Sequence, residues 1–125
     1  MLLEKIIEEK KRVVEKQKAE GRKPCKIDDL RKPLSLREQL QKKFGLIAEI
    51  KRASPSAGVI KGDIDVKEIA SIYNTSGVAG ISVLTCEPFF KGDIEDIKKV
   101  RAVVDIPVLM KDFIIDPYQI YLGRI

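Results

Sequence analysis

Leu46-Ile47-Ala48-Glu49-Ile50-Lys51 is the run from which the fold of this chain is read. It is short and apolar, and its charged residues gather at the carboxyl end, as in a buried strand. Downstream, Asp65 followed by Glu68 marks a helix start, and Val66, Ile69, Ala70 and Tyr73 form one stripe at helical spacing. Gly80-Ile81-Ser82-Val83-Leu84-Thr85 reads as a second strand. Asp93 then caps a helix whose Ile94, Ile97, Val100 and Val104 face inward. Ile106-Pro107-Val108-Leu109-Met110-Lys111 is a third strand, with its proline near the start, where a missing N–H is tolerated. Asp116-Pro117 opens a last helix, with proline at the first helical position and Gln119 completing the cap. Tyr118, Tyr121, Leu122 and Ile125 are its expected inward face. The strands recur at about 30 residues, the length of a βα unit. Alternation of this kind predicts an α/β fold with a parallel sheet and right-handed crossovers.

Upstream of Leu46 the pattern differs. Leu3, Ile6, Ile7, Val13 and Val14 fall on one helical face, and charges fill the remainder. Glu9 and Arg12 are placed for a pair one turn apart, so the charge run reads as a solvated helix face. The stretch around Gly21, Lys23 and Pro24 breaks this helix, and Ser35 with Glu38 caps a short one over residues 35–41. Residues 1–45 are therefore expected to form a helical extension, and residues 46–125 three βα units. Three strands cannot close a barrel, and 125 residues are half of a typical barrel of roughly 250. The expectation is an incomplete, truncated (β/α)8 barrel.

Composition limits the chemistry. The net charge of +5 admits nucleic-acid or anionic-lipid binding, or an enzyme that handles anionic substrates. With 34% charged residues of both signs interspersed, a mixed, solvated surface is the simpler reading. Recognition motifs for nucleic acid are missing. The chain has no histidine, so proton transfer near neutral pH falls to Lys, Glu and Asp. Cys25 and Cys86 match no metal-binding spacing, and no metal is expected; free thiols suit a reducing cytoplasm. No apolar run approaches the ~20 residues of a membrane span, and charges interrupt the amino terminus where a signal peptide would be apolar.

In parallel α/β sheets, ligands bind beyond the carboxyl ends of the strands. Glu49 and Lys51 share one side of the first strand by period-two alternation, and Lys111 ends the third. They form either a salt-bridge cluster or a polar pocket whose lysines pair an anion or deliver a proton. The loop Arg52-Ala53-Ser54-Pro55-Ser56-Ala57-Gly58 favours a turn carrying hydroxyls over the strand end. Phe89 and Phe90 cannot both enter one core face, so one is free either to wall an aromatic ligand or to pack beneath its loop.

Three motifs then carry a resemblance. Ile47-Ala48-Glu49-Ile50-Lys51-Arg52-Ala53-Ser54-Pro55-Ser56, Ile81-Ser82-Val83-Leu84-Thr85 with Phe89-Phe90-Lys91-Gly92, and Ile106-Pro107-Val108-Leu109-Met110-Lys111-Asp112-Phe113 occur in order. Together they resemble the indole-3-glycerol-phosphate synthase family from the first helix to the last residue. The resemblance implies a TIM-barrel carboxy-lyase of tryptophan biosynthesis that uses no cofactor. Its substrate would be the anionic 1-(2-carboxyphenylamino)-1-deoxyribulose 5-phosphate, closed to an indole with loss of carbon dioxide and water. It also implies that Lys111 is the general acid, that Lys51 pairs with the substrate's anionic groups, and that Glu49 positions both lysines and shares in proton transfer. Ser54 would match the loop serine, and Phe90 and Phe113 the aromatic walls. Cys86 departs from an acidic residue usual in the family, and Glu87 is expected to take over its polar role. The family's remaining catalytic residues and its phosphate loops belong to later strands. The expectation is thus a fragment inactive alone, or a non-catalytic half-barrel that self-associates or pairs with a complementary C-terminal half.

Overall fold

The computed structural model describes residues 1–23, 32–42 and 45–124. Cys25, Pro24 and Ile125, which figured in the expectations above, lie outside the described residues. Helices α1 (Leu2–Ala19) and α2 (Leu36–Lys42) precede strand β1 (Ile47–Ile50). A small ribbon follows, β2 (Ala53–Ser54) with β3 (Gly58–Val59). Then come α3 (Val66–Thr75), β4 (Gly80–Leu84), α4 (Glu95–Arg101), β5 (Val108–Lys111) and α5 (Pro117–Gly123). The main sheet is parallel in the order β1-β4-β5, the arrangement of three successive βα units of a (β/α)8 barrel.

Each strand has two faces with different company. Ala48, Ile50, Ile81, Val83 and Val108 point toward the helices and pack with Val66, Ala70, Val100 and Val104 in the core. Ile47, Glu49, Ser82, Leu109 and Lys111 alternate onto the other face. There Ile47 and Leu109 remain 40% and 45% exposed, so this face is open. At its amino end the Leu36 side chain of α2 comes close against Gly80.

Three of the four expected caps form. The Asp65 carboxylate accepts from the N–H groups of Lys67 and Glu68. Asp116 and Gln119 make a reciprocal capping box with Pro117 in the first turn. The Ser35 hydroxyl accepts from the Glu38 N–H at 3.2 Å. Asp93 accepts from the Glu95 N–H, but the helix begins only at Glu95, after Asp93-Ile94.

Two expected faces are corrected. On α1 the buried residues are Ile6, Lys10, Val14 and Gln17, whereas Leu3 is 48% exposed. Lys10 and Gln17 lie on the same side as Ile6 and Val14, and Lys10 goes inward because the carboxylate of Asp112 waits there at 2.9 Å. On α5, Leu122 and Gln119 are buried and Tyr121 is exposed. Gln119 goes inward because its amide accepts from the Ile115 and Asp116 N–H groups and donates to the Phe113 carbonyl.

Candidate active site

The charged residues at the strand ends meet on the open face. Lys111 Nζ lies 2.8 Å from Glu49 Oε2, and Lys51 Nζ lies 3.3 Å from Glu49 Oε1. The middle strand contributes Ser82, whose hydroxyl donates to the same Glu49 Oε2 at 3.1 Å. Tyr73 of α3 donates its hydroxyl to the Glu49 carbonyl, fixing the end of β1 from the helix side. Burial pushes the Glu49 pKa up, but hydrogen bonds from Lys111, Lys51 and Ser82 outweigh it and hold the group below the ordinary carboxylate range. A carboxylate that remains ionised holds one ammonium group on each oxygen, and Glu49 and Lys111 line an open hollow of about 380 Å³. A larger hollow of about 450 Å³ lies elsewhere, between α4, α5 and residues 32–34, and none of these groups lines it.

The loops after β1 and β4 carry Ser54 and Phe90. Ser54 sits in the ribbon, where its hydroxyl accepts from the Ala57 N–H at 3.1 Å, and Gly58 turns the chain with φ +65°. The hydroxyl-bearing turn therefore has β structure that its sequence did not announce. Arg52, between β1 and the ribbon, pairs with the fully buried Asp96 of α4, which also holds Lys99 at 3.1 Å. In the next loop Phe89 and Lys91 adopt left-handed φ values of 64° and 52° on either side of Phe90. Such backbone is costly for residues with a side chain, and here it brings Phe90 against Phe113, ring centroids 6.3 Å apart. Phe89 is exposed.

Cys86 is wholly buried beneath this loop, its thiol pushed up to about 12 by burial and then by the neighbouring Asp112 charge. Glu87 is exposed, and Asp112, paired with Lys10, is a buried polar group beside Cys86. The sequence reading gave no site role to Ser82, Asp96 or the Lys10–Asp112 pair. The phase of β4 could have found Ser82, the polar residue between Ile81 and Val83 that shares the face of Glu49.

A family model described as indole-3-glycerol phosphate synthase matches residues 3–125. The indole-3-glycerol phosphate synthase of Carboxydothermus hydrogenoformans is 47% identical over 136 positions, covering all of this chain and 52% of its own length. That of Thermoanaerobacter pseudethanolicus is 43% identical, with all of this chain and 49% of its own covered. That of Rhodopirellula baltica is 56% identical over 80 residues, 64% of this chain and 31% of its own length. The chain spans about half the length of the first two of these relatives.

Proposed function

Because this chain belongs to the indole-3-glycerol phosphate synthase family, we propose that it supplies the amino-terminal helices, the first three βα units and part of the catalytic machinery of a carboxy-lyase. The reaction closes the indole ring of 1-(2-carboxyphenylamino)-1-deoxyribulose 5-phosphate, with loss of carbon dioxide and water, in the cytoplasmic synthesis of tryptophan. Lys111 is the general acid for ring closure. Lys51 pairs with an anionic group of the substrate, and Glu49 positions both lysines and shares in proton transfer. Ser54 contributes its hydroxyl at the rim, and Phe90 and Phe113 wall the aromatic ring.

The observation that carries this reading is the Lys111–Glu49–Lys51 bridge on the open face. One ionised carboxylate between two ammonium groups offsets only half of their charge, which leaves the site cationic toward an anionic substrate. When the substrate's own anions reach Lys51, Glu49 remains to orient Lys111.

A second reading, a half-barrel that works only by association, is favoured by the same open face. Its outer strands β1 and β5 have one strand neighbour each in the described sheet, and Ile47 and Leu109 are exposed between them. Self-association, or a complementary second half, would cover both.

The test uses this chain alone and mixed with a separately made second half of the Carboxydothermus hydrogenoformans relative. Sedimentation and indole-product fluorescence are the readouts. The chain alone should associate and show no significant turnover, and the complex should turn over. In the complex, Lys111→Ala should lower kcat on the order of 100-fold or more, as loss of a general acid does, while Lys51→Ala mainly raises KM. Unchanged kcat in Lys111→Ala would remove Lys111 from its role.

A further inference from the structure

Beside Lys111 lies a buried cluster that the proposed ring closure does not use. Asp112 follows β5 directly, and its side chain is 5% exposed. Its Oδ2 accepts from Lys10 Nζ at 2.9 Å and from the Thr85 hydroxyl at 2.8 Å. Its Oδ1 accepts from the Phe113 N–H at 2.7 Å. The Lys10 side chain is 4% exposed, although α1 is otherwise studded with solvated charges. An ion pair this deep is costly to desolvate and is matched by few stability gains, so stability alone accounts poorly for it.

Its placement suggests another role. Lys111 is the last residue of β5, and Asp112 is the first beyond it. Lys111 reaches over the open face to Glu49, and Asp112 reaches to α1 and the end of β4. The peptide between them is also held, since the Lys111 carbonyl accepts from the Thr85 N–H at 3.1 Å. With Asp112 tied on one side and the carbonyl on the other, the direction in which the Lys111 side chain departs is set. Phe113, one residue on, is fixed by the same carboxylate through its N–H. The clamp therefore governs both the ammonium and one of the two facing rings.

We infer that Asp112, anchored by Lys10 of the amino-terminal helix and by Thr85, is a positioning residue that aims Lys111 and Phe113 at the open face. This rests on the assignment of Lys111 proposed above. Asp112 touches no reacting atom; it acts through the backbone of its neighbours. Helix α1 is thereby coupled to the site, and further ties keep it in place. Lys18 pairs with Asp116 at 2.7 Å and lies over the Tyr118 ring, and Arg22 lies 3.8 Å from Glu95.

The test measures kcat, KM and thermal midpoint in the complex of this chain with the second half of the Carboxydothermus hydrogenoformans relative. Asp112→Asn and Lys10→Met should each lower kcat at least tenfold while KM moves less than threefold, well below the unfolding temperature. Lys10→Arg, which keeps the charge, should recover most of the loss. Exchange of the Thr85 amide should quicken in the two damaging variants, while that of Ala70 in the core stays slow. If Asp112→Asn does not fold, Lys10→Met still reports, because it removes only the ammonium anchor and keeps the Asp112 carboxylate itself. Lowered thermal midpoints with unchanged kcat would overturn the inference and make the pair purely structural. Lys111→Ala is measured alongside. If it leaves kcat intact, the assignment of Lys111 falls; if it removes activity and the clamp variants do not, only the clamp falls.

Discussion

Gly92→Ala tests the loop that presents Phe90. A Cβ at this position would meet the Leu84 carbonyl oxygen at 2.4 Å, the Thr85 carbonyl carbon at 2.6 Å and the Cys86 nitrogen at 2.8 Å. Carbon contacts settle at about 3.5–4.0 Å, so the intrusion is roughly 1 Å. All three atoms are backbone at the end of β4, so no side-chain rotation relieves the overlap. The turn must move outward, stretching the 2.9 Å bond from the Gly92 N–H to the Cys86 carbonyl and withdrawing Phe90 from Phe113. Overpacking of this kind costs about 1–3 kcal/mol, and a weakened hydrogen bond about 1 kcal/mol more. The sum of about 2–4 kcal/mol should lower the thermal midpoint by roughly 6–16 °C at fixed protein concentration. Gly58→Ala is the comparison, because nothing lies within 4 Å of its Cβ and only its φ of +65° is strained. That variant should lose about 1 kcal/mol. Circular dichroism melting reads both, and ring-to-ring nuclear Overhauser contacts report Phe90 against Phe113. A Gly92→Ala protein within about 0.5 kcal/mol of the parent, with that contact intact, would refute the steric reasoning.

Further outcomes follow from the buried thiol and the bridging carboxylate. In a Cys25→Ser background, Cys86, held at about 12, should resist a thiol reagent at pH 8 and react only when urea unfolds the chain; rapid labelling in native buffer would contradict its burial. Because the Glu49 pKa is lowered on folding, the unfolded chain binds more protons as pH drops below the ordinary carboxylate range. The stabilisation is therefore fully present above that range and is lost as pH falls through the folded value. Urea midpoints measured from pH 7 to pH 3 should fall less steeply for Glu49→Gln than for the parent, and parallel curves would show that the bridge adds nothing.

The strands, their order along the chain and most caps were legible in the sequence because they depend on neighbours within a few residues. Asp65, Asp116-Pro117 and Gln119 are local signals, and local geometry honours them. The inward residues Lys10 and Asp96 were not legible, because what turns a charge inward is a partner far along the chain. Lys10 meets Asp112 across 102 positions, and Asp96 meets Arg52 across 44. A periodicity argument scores each as polar and assigns it to solvent. The same limitation misplaced Tyr121, whose apolar ring fits an inward stripe while Gln119 takes the buried position through three hydrogen bonds. The lysines and glutamate of the strand ends were readable for the opposite reason: charge is out of place where a parallel strand should be apolar.

The bridge between those charges depends on what lies beneath it. β1 and β5 are not neighbours, since β4 runs between them. Their backbones are thus separated by two strand spacings, roughly 9.5 Å. Yet Lys111 Nζ lies 2.8 Å from Glu49 Oε2, so both side chains reach across the middle strand. Ser82 stands between them, opposite Glu49 on one side and Leu109 on the other, and is 4% exposed. A small side chain leaves room for the crossing, and its hydroxyl supports the carboxylate from below at 3.1 Å. Two substitutions separate these contributions. Ser82→Ala keeps the room and loses one hydrogen bond to a charged acceptor, worth about 1.5–3 kcal/mol, so the acid limb of stability should soften while the Lys111–Glu49 contact persists. Ser82→Leu places a branched side chain in the path of the bridge. In the complex with a second half, its kcat should fall toward that of Lys111→Ala, although the added apolar group suits an apolar strand. Charge-state-sensitive nitrogen spectra of the lysines would show whether Lys111 has parted from Glu49. If Ser82→Leu and Ser82→Ala behave alike in turnover, the room above Ser82 is irrelevant, and the bridge does not pass over the middle strand in that complex.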